Sequence, residues 1–254
     1  MPRSLTSLNA LITGGASGLG AVIARRLAAE GVNICLNGLS SDEAAAKEHC
    51  TVLAKEHNVK TTYVLADVSS PEGCESAVKH TIEELGSVDI VVANAGWTKF
   101  ADWSDLEAFT EEEWVRSFKI NTLSPLWLFK SASPHWQSLY ASTHRAGVLL
   151  TTNSLAGLTS TGSSMPYSVT KAGQLRMVEG LAYNNGPWVR VNAVCPGLIV
   201  TPWSLRYGEE RINAMREAAP LKREVDLEDA ADVFVMLAKN ESITGKHVTV
   251  DCGL

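Results

Sequence analysis

The sequence predicts an α/β fold, a single-domain, doubly wound, mostly parallel sheet of Rossmann type with helices on both faces. Two observations predict the layers and a third the domain count. Short apolar runs rich in Val, Ile and Leu, of the kind buried on both faces of a sheet, alternate with helix-length segments whose apolar residues recur at spacings of three and four. That alternation is what right-handed βαβ crossovers require. No Pro/Gly/Ser-rich linker, repeat or low-complexity block interrupts residues 1–254, so the chain reads as one domain.

In chain order, the apolar runs fall at 10–13, 33–37, 62–66, 90–93, 148–152, 189–194 and 248–250, and each reads as a buried strand. Between them, 20–30, 41–57, 71–85, 111–131 and 164–183 read as helices. Residues 201–225 are different: polar, following a strand and containing Trp203 and Tyr207, they have the composition of a helical insertion that covers a substrate. In an open α/β sheet, ligands bind beyond the carboxyl ends of the strands. Residues just after the apolar runs are therefore the first candidates for function.

Composition narrows the partners. Hydrophobic residues make up 45% and charged residues 20%, enough to build a sizeable core. The net charge of -6, without a run of one sign, argues against a nucleic-acid partner. Cys35, Cys50, Cys74, Cys195 and Cys252 are odd in number and widely spaced, with no CxxC or Cys/His pattern, so they read as reduced thiols and not as metal ligands. The amino-terminal apolar stretch is too short for a signal peptide, and no apolar run reaches the roughly 18 residues of a membrane span. The expectation is a cytoplasmic protein with no membrane partner.

The first strand runs into Thr13, Gly14, Gly15, Ala16, Ser17, Gly18, Leu19 and Gly20 and then into a helix. Glycines there permit positive φ and close approach of the backbone to a pyrophosphate, while the helix start offers unpaired N–H groups and a partial positive charge. A dinucleotide is the expected guest, although the spacing is GxxxGxG and not GxGxxG. Asp67 and Val68 end the third strand; Asn94, Ala95 and Gly96 end the fourth. Both groups fall where an adenine and its ribose would lie, with a helix cap before Pro71 as the alternative for Asp67 and a simple turn residue as the alternative for Asn94. Ser154 follows the fifth strand, and Tyr167 and Lys171 share a helix face four residues apart. A Tyr/Lys pair at that spacing means little alone; coupling it to a serine beyond a strand shifts the balance toward a catalytic face.

These residues, with the ordered motifs TGGASGLG (13–20), ADV (66–68), NAG (94–96), IN (120–121), Ser154, YSVTK (167–171) and PGLIVT (196–201), resemble the short-chain dehydrogenase/reductase family over essentially the whole chain. The resemblance implies a seven-stranded sheet and a catalytic tetrad of Asn121, Ser154, Tyr167 and Lys171. It implies that Tyr167 exchanges the proton, that Lys171 lowers its pKa and holds the cofactor's ribose, that Ser154 bonds the substrate oxygen, and that Asn121 holds a water linking Lys171 to solvent. Pro196, Gly197, Ile199 and Thr201 would fix the nicotinamide carboxamide. Relatives commonly assemble as homo-oligomers, tetramers or dimers, through the helices that carry Asn121 and Tyr167.

The pattern is departed from in three places. At the end of the second strand, Asn37, Gly38, Leu39, Ser40 and Ser41 supply neither the acid that favours NAD nor the arginine that favours NADP, so both cofactors stay open with the balance toward NADP. The segment 133–145, with Trp136, Tyr140 and His144, is longer than expected and reads as an extended helix end or an oligomer contact. Cys252 stands where relatives tend to have a second glycine.

The resemblance implies a substrate lining of Trp97, Ser154, Ser160, Thr161, Met165, Trp203 and Tyr207, an apolar and aromatic set with no arginine placed for an anion. A neutral hydrophobic or ring-containing alcohol or ketone is the expected small-molecule substrate. The alternative is a non-redox isomerase or dehydratase using the same tyrosine; a regulator without catalysis is disfavoured because both tyrosine and lysine are present.

Overall fold

The computed structural model describes residues 3–254. They form one sheet of seven strands: β1 (Asn9–Thr13), β2 (Asn33–Gly38), β3 (Thr61–Leu65), β4 (Ile90–Ala93), β5 (Gly147–Thr152), β6 (Val189–Pro196) and β7 (His247–Val250). The order is β3-β2-β1-β4-β5-β6-β7 and every pairing is parallel, so the sheet is wholly and not just mostly parallel. The helices are α1 (Gly18–Ala29), α2 (Glu43–His57), α3 (Pro71–Leu85), α4 (Glu111–Phe118), α5 (Ser124–Thr143), α6 (Met165–Asn185), α7 (Glu209–Ala218) and α8 (Leu227–Lys239).

Period-two alternation along the strands sends side chains into two apolar layers. Ile12, Ile34 and Ile90 pack with Ile23 and Leu27 of α1, Leu53 of α2 and Phe234 of α8. Leu11, Val91 and Leu149 pack with Val78 of α3, Leu128 of α5 and Val178 of α6. Full burial of each such side chain contributes about 1.5–3 kcal/mol. Because β1 connects toward β2 and β4 lies on its other side, the strand order reverses between β1 and β4, and a crevice opens over their carboxyl ends.

The run 111–131 is not one helix. α4 stops at Phe118, a π turn spans Lys119–Leu123, and α5 continues to Thr143. A π turn adds one residue to the ladder without changing composition, so apolar spacing does not reveal it. α5 absorbs most of 133–145: Trp136 is fully buried, its indole donates to the Val88 carbonyl at 2.9 Å, and a Cβ on Gly147 would lie 2.3 Å from its ring. Trp136 alone of this segment is core, and its ring is the reason β5 begins with glycine; residues 137, 138 and 141–144 are exposed. Residues 201–225 contain a single 3-10 turn (Ser204–Tyr207) and α7; α8 follows as a further core helix that apolar spacing had not singled out.

The carboxyl terminus of α8 is closed from inside the sheet. Arg190 of β6 donates to the carbonyls of Leu237 and Ala238, each at 2.8 Å, and of Ile243 at 3.3 Å, and burial pushes its guanidinium down to about 10. Cys252 sits at φ +58°, a left-handed conformation that disfavours any Cβ, which is the physical reason a glycine suits that position.

All five cysteines are free. Burial pushes Cys35 and Cys195 up to about 12 and Cys50 and Cys74 up to about 11, so these four stay protonated at neutral pH. Among the described residues no helix is long and apolar enough to cross a membrane, and no group of His, Cys, Asp or Glu is arranged to hold a metal ion.

Candidate active site

A cavity of about 1300 Å³ lies over the carboxyl ends of the strands. One wall is the turn between β1 and α1. Gly14 takes φ +60°, and a Cβ on Gly20 would stand 2.3 Å from the Gly14 carbonyl oxygen, so the turn closes this tightly only with glycine at both positions. Gly14, Ser17, Gly18 and Leu19 face the cavity. The Ser17 side chain caps nothing, which leaves the first amides of α1 open toward an anionic group. That donor set and the glycine cradle fit a dinucleotide pyrophosphate.

Thr13, Gly20 and the side chain of Asn94 have a different task. The Thr13 hydroxyl accepts from the amides of Asn94 and Ala95, both at 3.0 Å. The Asn94 amide donates to the carbonyls of Thr13 at 3.0 Å and Gly14 at 3.2 Å, while its oxygen accepts from the Thr152 hydroxyl at 3.0 Å. These groups stitch together the ends of β1, β4 and β5, so Asn94 is more than the simple turn residue that the sequence also allowed.

At the far end of the crevice Asn37, Gly38, Leu39, Asp67, Val68, Ala95 and Gly96 line the wall. Ser40 does not: it lies exposed on the tight turn Ser40–Asp42. That turn overturns the expectation that no carboxylate stands near the end of β2. Asp42 lines the cavity, its Oδ2 accepting from the Leu39 amide at 2.8 Å and standing 3.0 Å from where a Gly38 Cβ would be. The acid missing from the strand end is thus supplied four residues later by a backward-folding turn. Asp67 is no helix cap, since Ser70 caps α3 by accepting from the Gly73 amide at 3.1 Å; Asp67 instead accepts from the Ser69 amide at 2.9 Å.

The chemistry-bearing group meets at the centre. Ser164 caps α6 by accepting from the Tyr167 amide at 3.4 Å, which sets Tyr167 in the first turn and Lys171 one turn on. Ser154, Tyr167 and Lys171 all line the cavity. Lys171 Nζ donates to the Thr152 carbonyl at 2.7 Å and lies 5.6 Å from the centre of the Tyr167 ring. Burial pushes the Tyr167 hydroxyl well above the ordinary phenol value, with the Ser154 hydroxyl working against it, and pushes Lys171 down to about 8. The expected lowering of the Tyr167 value by Lys171 is not what acts in the protein alone: burial raises the phenol and the Ser154 hydroxyl is the group that opposes it.

Asn121 is fully buried in the π turn and does not line the cavity. Its Oδ1 accepts from the Trp97 amide at 2.8 Å, and its Nδ2 donates to the Trp97 carbonyl at 2.9 Å, the Ser117 hydroxyl at 3.2 Å and the Thr170 hydroxyl at 3.0 Å. It ties the loop after β4 to α6.

On the remaining side Pro196, Gly197, Ile199 and Thr201 line the cavity, as do Trp97, Thr161, Trp203 and Tyr207. Ser160 and Met165, expected in the lining, are not there: Ser160 is exposed and Met165 only half-buried, because the 3-10 turn Leu155–Gly157 and the loop after it turn Ala156, Thr159 and Gly162 inward instead. Three residues went unnoticed in the sequence. Phe100 packs against Trp203 and Tyr207 with ring centres at 5.7 and 4.6 Å. Arg211 lines the cavity, stacked 4.9 Å over Tyr207 and donating to the Gly162 carbonyl at 3.1 Å. Asn153 lies at the end of β5 beside Ser154. Phe100 and Arg211 sit in segments without periodicity, so only contact reveals them.

Residues 14–254 match the family model described as enoyl-(acyl carrier protein) reductase. Over 246 residues the chain is 34% identical to a protein of Streptomyces violaceoruber named as a ketoacyl reductase of a granaticin polyketide synthase, covering 96% of this chain and 94% of that one. It is 30% identical over 257 residues, all of both chains, to 3-oxoacyl-(acyl-carrier-protein) reductase FabG of Chlamydia muridarum. The crystal structure of L-sorbose reductase from Gluconobacter frateurii, complexed with NADPH and L-sorbose, superposes with a TM-score of 0.90 at 26% identity, over 100% of this chain and 98% of that one. A parallel sheet in this strand order, spanned end to end by such matches, leaves one assignment: the chain belongs to the short-chain dehydrogenase/reductase family.

Proposed function

We propose that this enzyme transfers a hydride between NAD(P) and a neutral, hydrophobic or ring-containing alcohol or ketone, with Tyr167 as general acid and base. The observation that carries the reading is the meeting of Ser154, Tyr167 and Lys171 on one cavity whose other end is the glycine turn and open helix start of a dinucleotide site. The first amides of α1 would hold the pyrophosphate, Asp67 and Val68 the adenine end, Lys171 the nicotinamide-side ribose, and Pro196 to Thr201 the carboxamide. Bound there, the nicotinamide supplies or takes up the hydride. The L-sorbose reductase carries NADPH, which supports NADP(H) here, and Asp42 is the residue on which the choice between the two forms turns.

Each side chain has a physical task. Burial keeps the Tyr167 phenol protonated, so in reduction it holds the proton that the substrate oxygen needs. Lys171, at about 8 and still mostly protonated at neutral pH, favours the phenolate left behind. Ser154 donates to the substrate oxygen as charge grows on it. Trp97, Trp203 and Tyr207 exclude water and favour an apolar ligand, while Arg211 is already engaged with Gly162 and Tyr207. The segment 201–225 would cover that ligand.

Tyr167→Phe removes one proton and little surface. It is expected to lower kcat by about 10²–10⁴ while leaving cofactor Kd within about twofold. Retained turnover, or product formation with no change in nicotinamide absorbance, would overturn the reading. The unpaired buried thiols support a cytoplasmic setting. We also propose a homo-oligomer, tetramer or dimer: Phe118 of α4 and Val169 of α6 expose apolar side chains on the helices the family uses for assembly, and mass in solution checks it.

A further inference from the structure

We infer that Gln174 is a positioning residue of the catalytic centre, an inference that rests on the tetrad reading above. Gln174 lies three residues after Lys171 and seven after Tyr167, on the same face of α6, and is almost wholly buried. Its Nε2 donates to the main-chain carbonyl of Asn121 at 2.5 Å. Its Oε1 accepts from Asn153 Nδ2 at 2.7 Å. The Asn153 amide also donates to the Lys171 carbonyl at 2.8 Å, and its oxygen accepts from the Ser154 amide at 2.8 Å and the Cys195 thiol at 3.8 Å. Two carboxamides in series therefore join the π turn, α6 and the end of β5, touching the main chains of Asn121, Lys171 and Ser154.

The sequence after Asn121 explains the link. The residue four positions on is Pro125, which has no N–H to give the Asn121 carbonyl, and that carbonyl accepts from Gln174. The Asn121 side chain is engaged by Trp97, Ser117 and Thr170. The family resemblance gives Asn121 a water that leads to Lys171; in this chain a protein amide bonds its carbonyl and fixes it to the strand end that presents Ser154. An amide is suited to this because it donates at one end and accepts at the other. An apolar side chain there would leave the Asn121 carbonyl and the Asn153 amide short of a partner in a buried place.

Two variants test it, with Tyr167→Phe in parallel. In Gln174→Glu the protonated carboxyl can still donate to the Asn121 carbonyl, whereas the ionised form faces that oxygen with like charge. Burial raises a carboxyl well above its ordinary value of about 4.3. The variant is expected to keep near-native kcat at acid pH and to lose it as pH rises through the raised value, a limb additional to the one that Lys171, at about 8, gives the native enzyme. Cofactor Kd, read by quenching of protein fluorescence, should stay within about twofold. Gln174→Met should lower kcat about tenfold at every pH, with KM and cofactor Kd little changed. If both variants fold and keep the native kcat and pH profile, or if they lose only unfolding temperature, the inference is overturned. If neither folds, Gln174 is a folding residue and the positioning role falls. Retained turnover in Tyr167→Phe would sink the tetrad reading itself; an inactive Tyr167→Phe beside native-like Gln174 variants would sink only this inference.

Discussion

The two ends of the sheet bury the same kinds of polar side chain and use them in opposite ways. At the amino end, Asp89 accepts from the main-chain N–H of Asn9 at Oδ2 (2.9 Å) and from Arg145 at Oδ1 (2.7 Å), and Arg190 caps α8. Most of these partners close on one another, with Arg3 Nη2 and Arg145 Nε left buried without one. At the carboxyl end, Asn94, Asn121 and Asn153 do similar stitching, but Tyr167 and Lys171 are buried and line a cavity. Burial holds each away from its charged form, the phenol pushed up and the ammonium pushed down. Polar groups that saturate each other hold a fold together, whereas polar groups held strained in protonation at a cavity are available for chemistry.

The sharpest way to break this comparison is Lys171→Met. If the carboxyl end is built for reaction, turnover should fall by about 10²-fold or more while stability at neutral pH is kept or raised. The sign follows from the lowered value: between about 8 and the ordinary lysine value near 10.4, the unfolded chain binds the proton and the folded one does not, so native stability rises with pH across that window. Below 8 the cost of charging the buried amine is fully present. Any stability advantage of the variant should therefore shrink by about 2 kcal/mol from pH 7.5 to 10, read from urea midpoints. A constant difference would show that Lys171 is not held against its charge.

Arg190→Met probes the other end. Two carbonyls in the last turn of α8 and that of Ile243 beyond it lose their donor, at an expected cost of about 2–4 kcal/mol in urea unfolding, with kcat per folded molecule unchanged. An unaltered midpoint, or a selective loss of kcat, would erase the division of labour between the two ends. The smallest expected effect is at Asp42. Asp42→Asn removes the carboxylate beside Gly38, and the ratio of Kd values should move by about three- to tenfold in favour of NADP over NAD by calorimetric titration. An unmoved ratio would place discrimination elsewhere.

Much of the cofactor half was legible in the sequence. The turn at Thr13 to Gly20 is contiguous, and its glycines answer to backbone geometry alone. Tyr167 and Lys171 are set by helix period. What escaped was of two kinds. The π turn before α5 and the backward fold at Asp42 are single-residue changes of backbone course that leave no mark on composition. Ser160 and Met165 were expected to face a substrate on the strength of the family resemblance, and a short turn sends other residues inward.

Alone, the sequence determined the layered fold, the order of its motifs and the positions of Ser154, Tyr167 and Lys171, because local period and contiguous turns are properties of neighbouring residues. Only the tertiary structure decided that Gln174 reaches the Asn121 carbonyl, that Arg211 lies over Tyr207, and that Asp42 stands in for an acid at Gly38. Those meetings depend on how helices and loops pack across the crevice, and packing is set by the whole core and not by any one segment.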